Sequence, residues 1–218
     1  MQPTTELCSS ETGLVYRLRR GPPHGPVLIM LHGLSGDENV MWIFDHTLPR
    51  EATVIAPRAL YASELGGYSW ARSVVRGDLD QVDFAEALDR LPGLVSEIVA
   101  VYQADPRRVI ALGFSQGAAL SYAWSLAQPA ALHGVIALAG FLPLHNNAAT
   151  ESKQALPPYL IIHGTRDADV PIERARVARS ILESRGAAVE YHEYPVGHKV
   201  SAQGAKEIAR WIRNRVSA

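Results

Sequence analysis

The sequence predicts an α/β fold in which a mostly parallel sheet of about seven strands carries helices on both faces. Short apolar runs, each long enough for a buried strand, recur along the chain. In the second half, segments with apolar residues at helical spacing separate those runs. No internal repeat or low-complexity segment interrupts this alternation, so a single domain over residues 1–218 is expected.

Each predicted element follows from its local pattern. The segment 14–19 alternates apolar and polar residues, as an edge strand does, and the proline- and glycine-rich segment 20–26 predicts a turn. The segment 83–102 has helical spacing, although Pro92 and Gly93 should kink or offset that helix. Further strands are predicted at 27–31, 53–56, 108–112, 134–139, 158–163 and 188–194, and further helices at 116–127, 172–185 and 201–215.

Composition limits the class of partner. The chain is 47% hydrophobic and 20% charged, and its net charge of −1 gives no reason to expect nucleic acid or an anionic membrane as partner. The single cysteine, Cys8, excludes an internal disulfide. No secretory signal is recognised, and no apolar run approaches the ~20 residues that span a bilayer. We expect a cytoplasmic protein without an integral membrane segment; monomer and homodimer both stay open.

The most informative segment is a G-x-S-x-G pentapeptide, Gly113-Phe114-Ser115-Gln116-Gly117, between a predicted strand and a predicted helix. In that setting the motif predicts a nucleophile elbow, a sharp turn that exposes the serine hydroxyl at the edge of the sheet. Such a turn strains the backbone, and glycine neighbours avoid side-chain clashes. Ser115 is therefore the candidate nucleophile.

A serine nucleophile needs a general base and an acid that orients the base. His198 lies in a Gly-His loop after a predicted strand and is the candidate base among eight histidines. Two acids, Asp167 and Asp169, follow an earlier strand, and Asp169 suits the N-terminus of the helix that starts near Pro171. The carboxyl ends of parallel strands share one edge of the sheet, so these side chains would meet there.

The reacting carbonyl oxygen needs hydrogen-bond donors. The turn His32-Gly33-Leu34 ends an early strand and can aim a main-chain N–H at that oxygen. We assign the two donors to the main-chain N–H groups of Leu34 and Gln116. His32 and His163 are expected to pin turns by hydrogen bonds, and the histidines have no metal-site spacing, so neither metal nor cofactor is expected.

Five segments together resemble the bacterial carboxylesterases related to acyl-protein thioesterases, in the α/β-hydrolase superfamily. The resemblance covers nearly the whole chain, from about Pro26 to Trp211, and implies an α/β-hydrolase fold. The chain has no spare segment for the large cap domain of bigger lipases. The five segments, in that family's order and at its spacing, are LHGLSGDEN, APRA…GGYSW, DPRRVIALGFSQGAALS, HGTRDADVP and YPVGH.

Carried over residue by residue, the resemblance favours Asp167 over Asp169 as the acid. It implies a triad of Ser115, Asp167 and His198, with Leu34 and Gln116 at the oxyanion site, and it matches Trp70 to a substrate-binding tryptophan near the acyl pocket. The chain departs from the family at Thr165, Ala168 and Ala71-Arg72, where relatives often carry an acid, a proline, and an aromatic followed by an acid. These departures concern the shape and charge of the pocket, hence the substrate.

The sequence thus predicts a serine carboxylesterase that hydrolyses small-molecule esters of short to medium acyl chains through an acyl-enzyme. An acyl-protein thioesterase or a lysophospholipase is the alternative among enzymes. A ligand receptor on the same fold is the alternative outside them, although a receptor has no need for three triad residues. The long segments 58–80 and 141–158 are expected to line an open active site.

Overall fold

The computed structural model describes residues 5–72, 82–143 and 154–216. Its strands are β1 (Glu6–Ser9), β2 (Val15–Arg19), β3 (Val27–Leu31), β4 (Thr53–Pro57), β5 (Tyr61–Ala62), β6 (Tyr68–Ser69), β7 (Val109–Phe114), β8 (Gly134–Leu138), β9 (Tyr159–Gly164) and β10 (Val189–Tyr194). Its α-helices are α1 (Ala85–Tyr102), α2 (Gln116–Ala127), α3 (Ile172–Ser184) and α4 (Ala202–Val216). Short 3₁₀ helices cover Val40–Thr47 and Pro129–Ala131.

Within the described ranges, eight strands form one sheet in the order β1-β2-β4-β3-β7-β8-β9-β10. All strand pairs from β4 to β10 are parallel, and β1 and β2 are antiparallel to their neighbours. The strands β5 and β6 form a separate antiparallel hairpin. The mostly parallel α/β architecture is therefore confirmed, and the connections bring the carboxyl ends of six neighbouring strands to one edge.

Buried strands divide the core into two layers because successive side chains point to opposite faces of a sheet. Along β3, Val27, Ile29 and Leu31 pack in the cluster that contains residues of α1, α2 and α3. Between them, Leu28 and Met30 pack in the cluster that contains α4 and the first 3₁₀ helix. The prediction of helices on both faces is confirmed, and all five residues of β3 are buried as it requires.

Sequence analysis did not predict the first strand of the large sheet. The short strand β1 is mostly exposed and lacks a clear alternation of apolar and polar residues. It pairs antiparallel with β2, which pairs on its other side with β4. The interpretation of 14–19 as an edge strand is therefore wrong, and the described residues form a sheet of eight strands rather than about seven.

The helix predicted at 83–102 is α1, and it runs through Pro92. Proline removes one main-chain donor from a helix interior. The helix continues because packing of its apolar face, which includes Leu91 and Ile98, outweighs local propensity. It ends at Gln103, which has a positive φ of 52° and donates its N–H to the carbonyl of Val99.

The two long segments expected near the site are described only in part. The first contains the β5–β6 hairpin, and residues 73–81 lie outside the described ranges. Residues 144–153 of the second also lie outside them. Among the helices described, none combines the length and the apolar character that crossing a bilayer demands. Cys8 is a free thiol.

Candidate active site

Ser115 stands at the sharp turn between β7 and α2. Its backbone has φ 54° and ψ −115°, a conformation that costs a non-glycine residue roughly 1–3 kcal/mol. Main-chain hydrogen bonds hold the turn in place. The N–H of Ser115 donates to the carbonyl of Leu138 at 2.9 Å, and its carbonyl accepts the N–H groups of Ala118 and Ala119 at 3.0 and 3.1 Å. The strand-turn-helix geometry predicted for the pentapeptide is confirmed.

Both glycines of the pentapeptide are required by close backbone contacts. A Cβ added to Gly117 would lie 2.0 Å from the carbonyl oxygen of Leu31 in β3, and one added to Gly113 would lie 2.2 Å from the oxygen of Gly117. Neither contact can be relieved by moving a flexible side chain. The helix α2 can therefore begin directly against β3, with Ser115 at the carboxyl end of the central strands.

His198 and Asp167 meet in the loops that follow β10 and β9. The ring Nδ1 of His198 lies 2.7 Å from Oδ2 of Asp167, so in the neutral ring Nδ1–H donates to the carboxylate and Nε2 is left as an acceptor. The other carboxylate oxygen, Oδ1, accepts the N–H groups of Asp169 and Val170 at 3.0 and 2.9 Å. The carboxylate is buried and held from both sides.

The ring of His198 packs against Phe114, the residue immediately before Ser115, with ring centroids 4.9 Å apart. The aromatic contact brings the imidazole next to the elbow. Within the described ranges, no hydrogen bond joins the Ser115 hydroxyl to His198. In proteins without substrate such bonds are often long, and they tighten when the substrate binds.

Asp169 does not bind the N-terminus of α3, the role that the sequence predicts for it. Its side chain is exposed, and α3 begins after Pro171 with no side-chain cap on its N-terminal N–H groups. The prediction that Asp169 caps this helix is wrong. The carboxylate of Asp167 instead holds the turn ahead of the helix, where it accepts the N–H groups of Asp169 and Val170.

Two buried histidines stabilise the turns around the site, as predicted. His163 Nε2 hydrogen-bonds the carbonyl of Val170 at 2.8 Å and lies 3.4 Å from Oδ2 of Asp167. His32 Nε2 accepts the N–H of Ala59 at 3.0 Å, and its Nδ1 donates to the carbonyl of Gly33 at 2.7 Å. Burial lowers the pKa of both rings, because it disfavours the charged form.

The two main-chain groups assigned as oxyanion donors are not engaged within the described chain. The N–H groups of Ser35 and Gly36 donate to the carbonyls of Tyr68 and Gly33, whereas no described residue accepts the N–H of Leu34, the residue just before them. Gln116 is the first residue of α2, where an N–H has no partner within the helix. Both N–H groups are free to donate to an incoming oxygen.

Trp70 lies beneath this turn and is fully buried. Its Nε1–H donates to the carbonyl of His32 at 2.8 Å, and its ring centroid is 5.2 Å from that of His32. Its main-chain N–H donates to the side-chain oxygen of Gln116 at 2.9 Å. The ring has no exposed surface here, so its contact with substrate stays a prediction.

Sequence analysis did not identify the partner of Glu38, a buried acid that follows the oxyanion turn. Arg58 donates two hydrogen bonds, of 2.7 and 2.8 Å, to the Glu38 carboxylate, and this lowers the pKa of Glu38 to about 2. Asp37, the preceding acid, accepts the N–H groups of Asn39 and Val40 where the first 3₁₀ helix begins. Charge alone did not show which of the two adjacent acids finds an arginine.

Two groups of side chains in the described ranges have potential metal-ligating atoms within 4.8 Å of one another. In the first, which includes Asp167, Asp169 and His198, the acid and the ring are hydrogen-bonded to each other. In the second group, Arg210 forms ion pairs with the carboxylates of Glu190 and Glu207. The second group consists of Glu190, His192 and Glu207.

The fold and the elbow at Ser115 define an α/β-hydrolase. The chain belongs to the phospholipase/carboxylesterase family of these hydrolases, whose model matches residues 19–216. The family resemblance expected from the five sequence segments is therefore confirmed.

Named relatives include both esterases and thioesterases. Carboxylesterase SOBER1 of Arabidopsis thaliana is 30% identical over 145 residues, which are 65% of this chain and 63% of that protein. Acyl-protein thioesterase 1 homolog 1 of Dictyostelium discoideum is 30% identical over 204 residues, 87% of this chain and 90% of that protein. The match to a SOBER1-like protein of Arabidopsis thaliana spans 45% of that relative. The chain therefore aligns with only about half to two thirds of the length of these two SOBER1 relatives.

Solved structures share the fold over most of the chain. The Bacillus cereus carboxylesterase has a TM-score of 0.83 at 22% identity and covers 93% of this chain and 94% of its own. Arabidopsis thaliana SOBER1 has a TM-score of 0.72 at 25% identity and covers 87% of this chain and 98% of its own. Similarity at this level supports the α/β-hydrolase architecture.

Proposed function

We propose that the protein is a serine hydrolase of carboxylic esters, with Ser115 as nucleophile, His198 as general base and Asp167 as the acid that orients it. The observation that carries this proposal is the 2.7 Å hydrogen bond between His198 Nδ1 and Asp167 Oδ2, with the same ring packed on the residue before Ser115. Family membership supports it, because carboxylesterases give the family its name.

In the first half of the reaction, His198 Nε2 takes the proton of the Ser115 hydroxyl while Oγ attacks the carbonyl carbon of the ester. The buried Asp167 carboxylate stabilises the imidazolium that forms. The imidazolium then gives its proton to the departing alcohol, and the acyl group is left on Oγ.

In the second half, water replaces the alcohol. His198 takes a proton from the water, the resulting oxygen attacks the acyl-enzyme, and the proton returns to Ser115 Oγ as the acid leaves. No metal and no cofactor enters either half. Each proton taken by His198 is given back, so the enzyme ends in its starting state.

We assign the stabilisation of the negative charge that develops on the carbonyl oxygen to hydrogen bonds from the N–H groups of Leu34 and Gln116. Removing one such donor typically costs about 3 kcal/mol of transition-state stabilisation. Both groups are main-chain donors on fixed turns, which limits their reorganisation during the reaction. Gln116 adds the positive end of α2 at the same place.

We propose small-molecule esters of short to medium acyl chains as substrates. The side chain of Leu34, on the oxyanion turn, is exposed and offers an apolar surface beside the proposed site. One methylene changes apolar binding by only about 1–3 kcal/mol, so a broad range of small esters should be turned over.

Thioester hydrolysis is the second candidate. It is favoured by the acyl-protein thioesterase relative that aligns over 90% of its own length at 30% identity. The same nucleophile and oxyanion site serve oxygen and thiol leaving groups. Turnover of an acyl-thioester, a lysophospholipid and a simple ester by one preparation separates a carboxylesterase from a thioesterase and a lysophospholipase. Tight, saturable binding without turnover would instead indicate a ligand receptor.

The test is hydrolysis of para-nitrophenyl esters with acyl chains from acetyl to dodecanoyl, comparing the wild type with Ser115→Ala. The proposal predicts a measurable rate that is lost in the variant and declines toward the longest chains. Equal near-background rates in two folded proteins would reject it. Circular dichroism and thermal unfolding verify that the variant is folded.

A further inference from the structure

We propose that the side chain of Gln116 is a positioning residue that sets the separation between the two oxyanion N–H groups, an inference that rests on the proposed function. Its main-chain N–H is one of those donors. Its side chain, separately, holds the segment that supports the turn carrying the other donor, Leu34. The motif alone does not indicate this, since the position is the variable x of G-x-S-x-G.

The amide of Gln116 is buried and makes two hydrogen bonds across the site. Its Oε1 accepts the main-chain N–H of Trp70 at 2.9 Å, and its Nε2 donates to the hydroxyl of Ser69 at 3.0 Å. The residues Gln116 and Ser69 are only 4% and 5% exposed, so water cannot readily replace these bonds. The start of α2 is thereby tied to β6 and the residue after it.

The same segment holds the turn that carries Leu34. Trp70 Nε1–H donates to the carbonyl of His32 at 2.8 Å, on one side of Leu34. On the other side, Tyr68 pairs with the turn through two main-chain hydrogen bonds of 2.9 Å, one from the Ser35 N–H and one to the Gly36 carbonyl. A continuous chain of bonds therefore runs from the Gln116 side chain to both flanks of Leu34.

This arrangement matters because oxyanion donors act only at the right distance. They stabilise the transition state when they lie about 2.7–3.1 Å from the developing oxyanion, and a misplacement of about 1 Å can lower the rate on the order of 100-fold. Without the Gln116 amide, the Trp70 N–H becomes a buried donor with no partner. The segment 68–70 would shift to satisfy it, and the turn at Leu34 would move with that segment.

If Gln116 contributed only to the stability of the fold, its removal would affect the two kinds of ester equally. Partial unfolding lowers turnover of every substrate by the same factor. Displaced oxyanion donors lower the turnover of an oxygen ester more than the turnover of the matching thionoester. The reason is that the sulfur of the thionoester is a larger and weaker acceptor, which these donors already stabilise poorly. The ratio of the two rates therefore reports on the donors themselves.

The experiment measures kcat/KM for para-nitrophenyl acetate and for its thiono analogue in the wild type and in Gln116→Met, which keeps the length of the side chain and removes both hydrogen bonds. We expect the oxygen-ester value to fall about 10- to 100-fold, mostly in kcat, with a clearly smaller fall for the thionoester. Ser69→Ala, which removes one of the two bonds, should move the ratio in the same direction by less.

Ser125→Ala is the matched control. Ser125 lies further along α2, is fully buried, and exchanges hydrogen bonds with Tyr122 and Tyr159, both at 2.9 Å. Its removal breaks comparable buried bonds in the same helix and should leave the ratio at the wild-type value. Thermal unfolding of all variants gives the stability change for comparison.

An oxygen-to-thiono ratio that is the same in the wild type, Gln116→Met and Ser69→Ala would overturn the inference. So would an equal shift in Ser125→Ala. The proposed function fails by a different result, namely ester hydrolysis that survives Ser115→Ala. If Ser115→Ala is inactive and the ratio does not move, only the role of Gln116 is rejected.

Discussion

The ring of His198 and the carboxylate of Asp167 meet at 2.7 Å although they lie in separate loops, after β10 and β9. Because those strands are parallel neighbours, the loops leave the same edge of the sheet side by side. Two main-chain N–H groups fix the other carboxylate oxygen. The carboxylate is therefore held in a fixed orientation where it meets the His198 ring, as the proposed role of orienting acid requires.

Asp167→Asn tests the assignment of the acid. An amide can hold the ring in the wrong tautomer and cannot stabilise an imidazolium, so we expect kcat for ester hydrolysis to fall by about 10⁴. The control is Asp169→Asn, which changes an exposed neighbouring acid that sequence analysis considered as an alternative, and it should fall less than about 10-fold. Comparable losses in the two variants would contradict the assignment.

Gly117→Ala tests the elbow as a packing constraint. The new Cβ would lie 2.0 Å from the main-chain oxygen of Leu31, and backbone must move to accommodate it. We expect the free energy of unfolding in urea to fall by about 3 kcal/mol.

Gly93→Ala is the control for that change. Its Cβ would meet only the side-chain methyl of Thr12 at 2.8 Å, and alanine is the better helix former by about 1 kcal/mol. The net change should stay within about 1 kcal/mol of zero. If Gly117→Ala is tolerated equally well, the close approach of α2 to β3 is not as described.

Apolar patterning predicted most of the sheet because buried strands of a parallel sheet are almost entirely apolar. The segments 27–31, 108–112 and 134–139 are cases in point. The exposed strand β1 carries no such pattern, and its place comes from main-chain pairing with β2. Main-chain pairing does not depend on side-chain type, so a short polar sequence gives almost no indication of it.

In the candidate site, too, some features could be predicted from the sequence and others could not. Ser115, Asp167 and His198 belong to short motifs that end predicted strands, so their meeting at one edge could be predicted. The partners of Gln116 could not, because Ser69 and Trp70 lie 47 and 46 residues away and at no characteristic spacing. A carboxylate near a helix start is a common cap, which makes Asp169 look like one in the sequence, but no side chain caps α3 in the structure.

Arg58→Met tests the buried ion pair beside the oxyanion turn. Glu38 is 4% exposed and loses both charge-assisted hydrogen bonds in this variant, leaving a buried carboxylate without its partner. We expect the free energy of unfolding at pH 7 to fall by about 2 kcal/mol or more.

The control removes an exposed pair of the same type. Arg107 binds Asp105 at 3.2 Å with most of its side chain in solvent, and Arg107→Met should change the unfolding free energy by less than about 0.5 kcal/mol. Equal effects of the two substitutions would show that burial does not strengthen the Arg58–Glu38 pair.

Stability should depend on pH through His32 and His163. Burial lowers the pKa of both rings in the folded protein, so the unfolded chain binds their protons more readily than the native state does. Stability from these groups is present above the ordinary histidine pKa of about 6.5 and is lost as pH falls below it. Urea unfolding at pH 8, 7, 6 and 5 should give decreasing free energies, with a shallower decrease in His163→Gln. A constant free energy across this range would contradict the neutral, buried state of these rings.

The most direct test of the central claim is to look for the acyl group on Ser115. The protein is mixed with para-nitrophenyl acetate, quenched in acid within the burst, digested and mapped by mass spectrometry. We predict an acetyl group on the peptide that contains Ser115 and on its hydroxyl, and no such adduct in Ser115→Ala. Turnover without any adduct at Ser115, undiminished in the variant, would contradict the account.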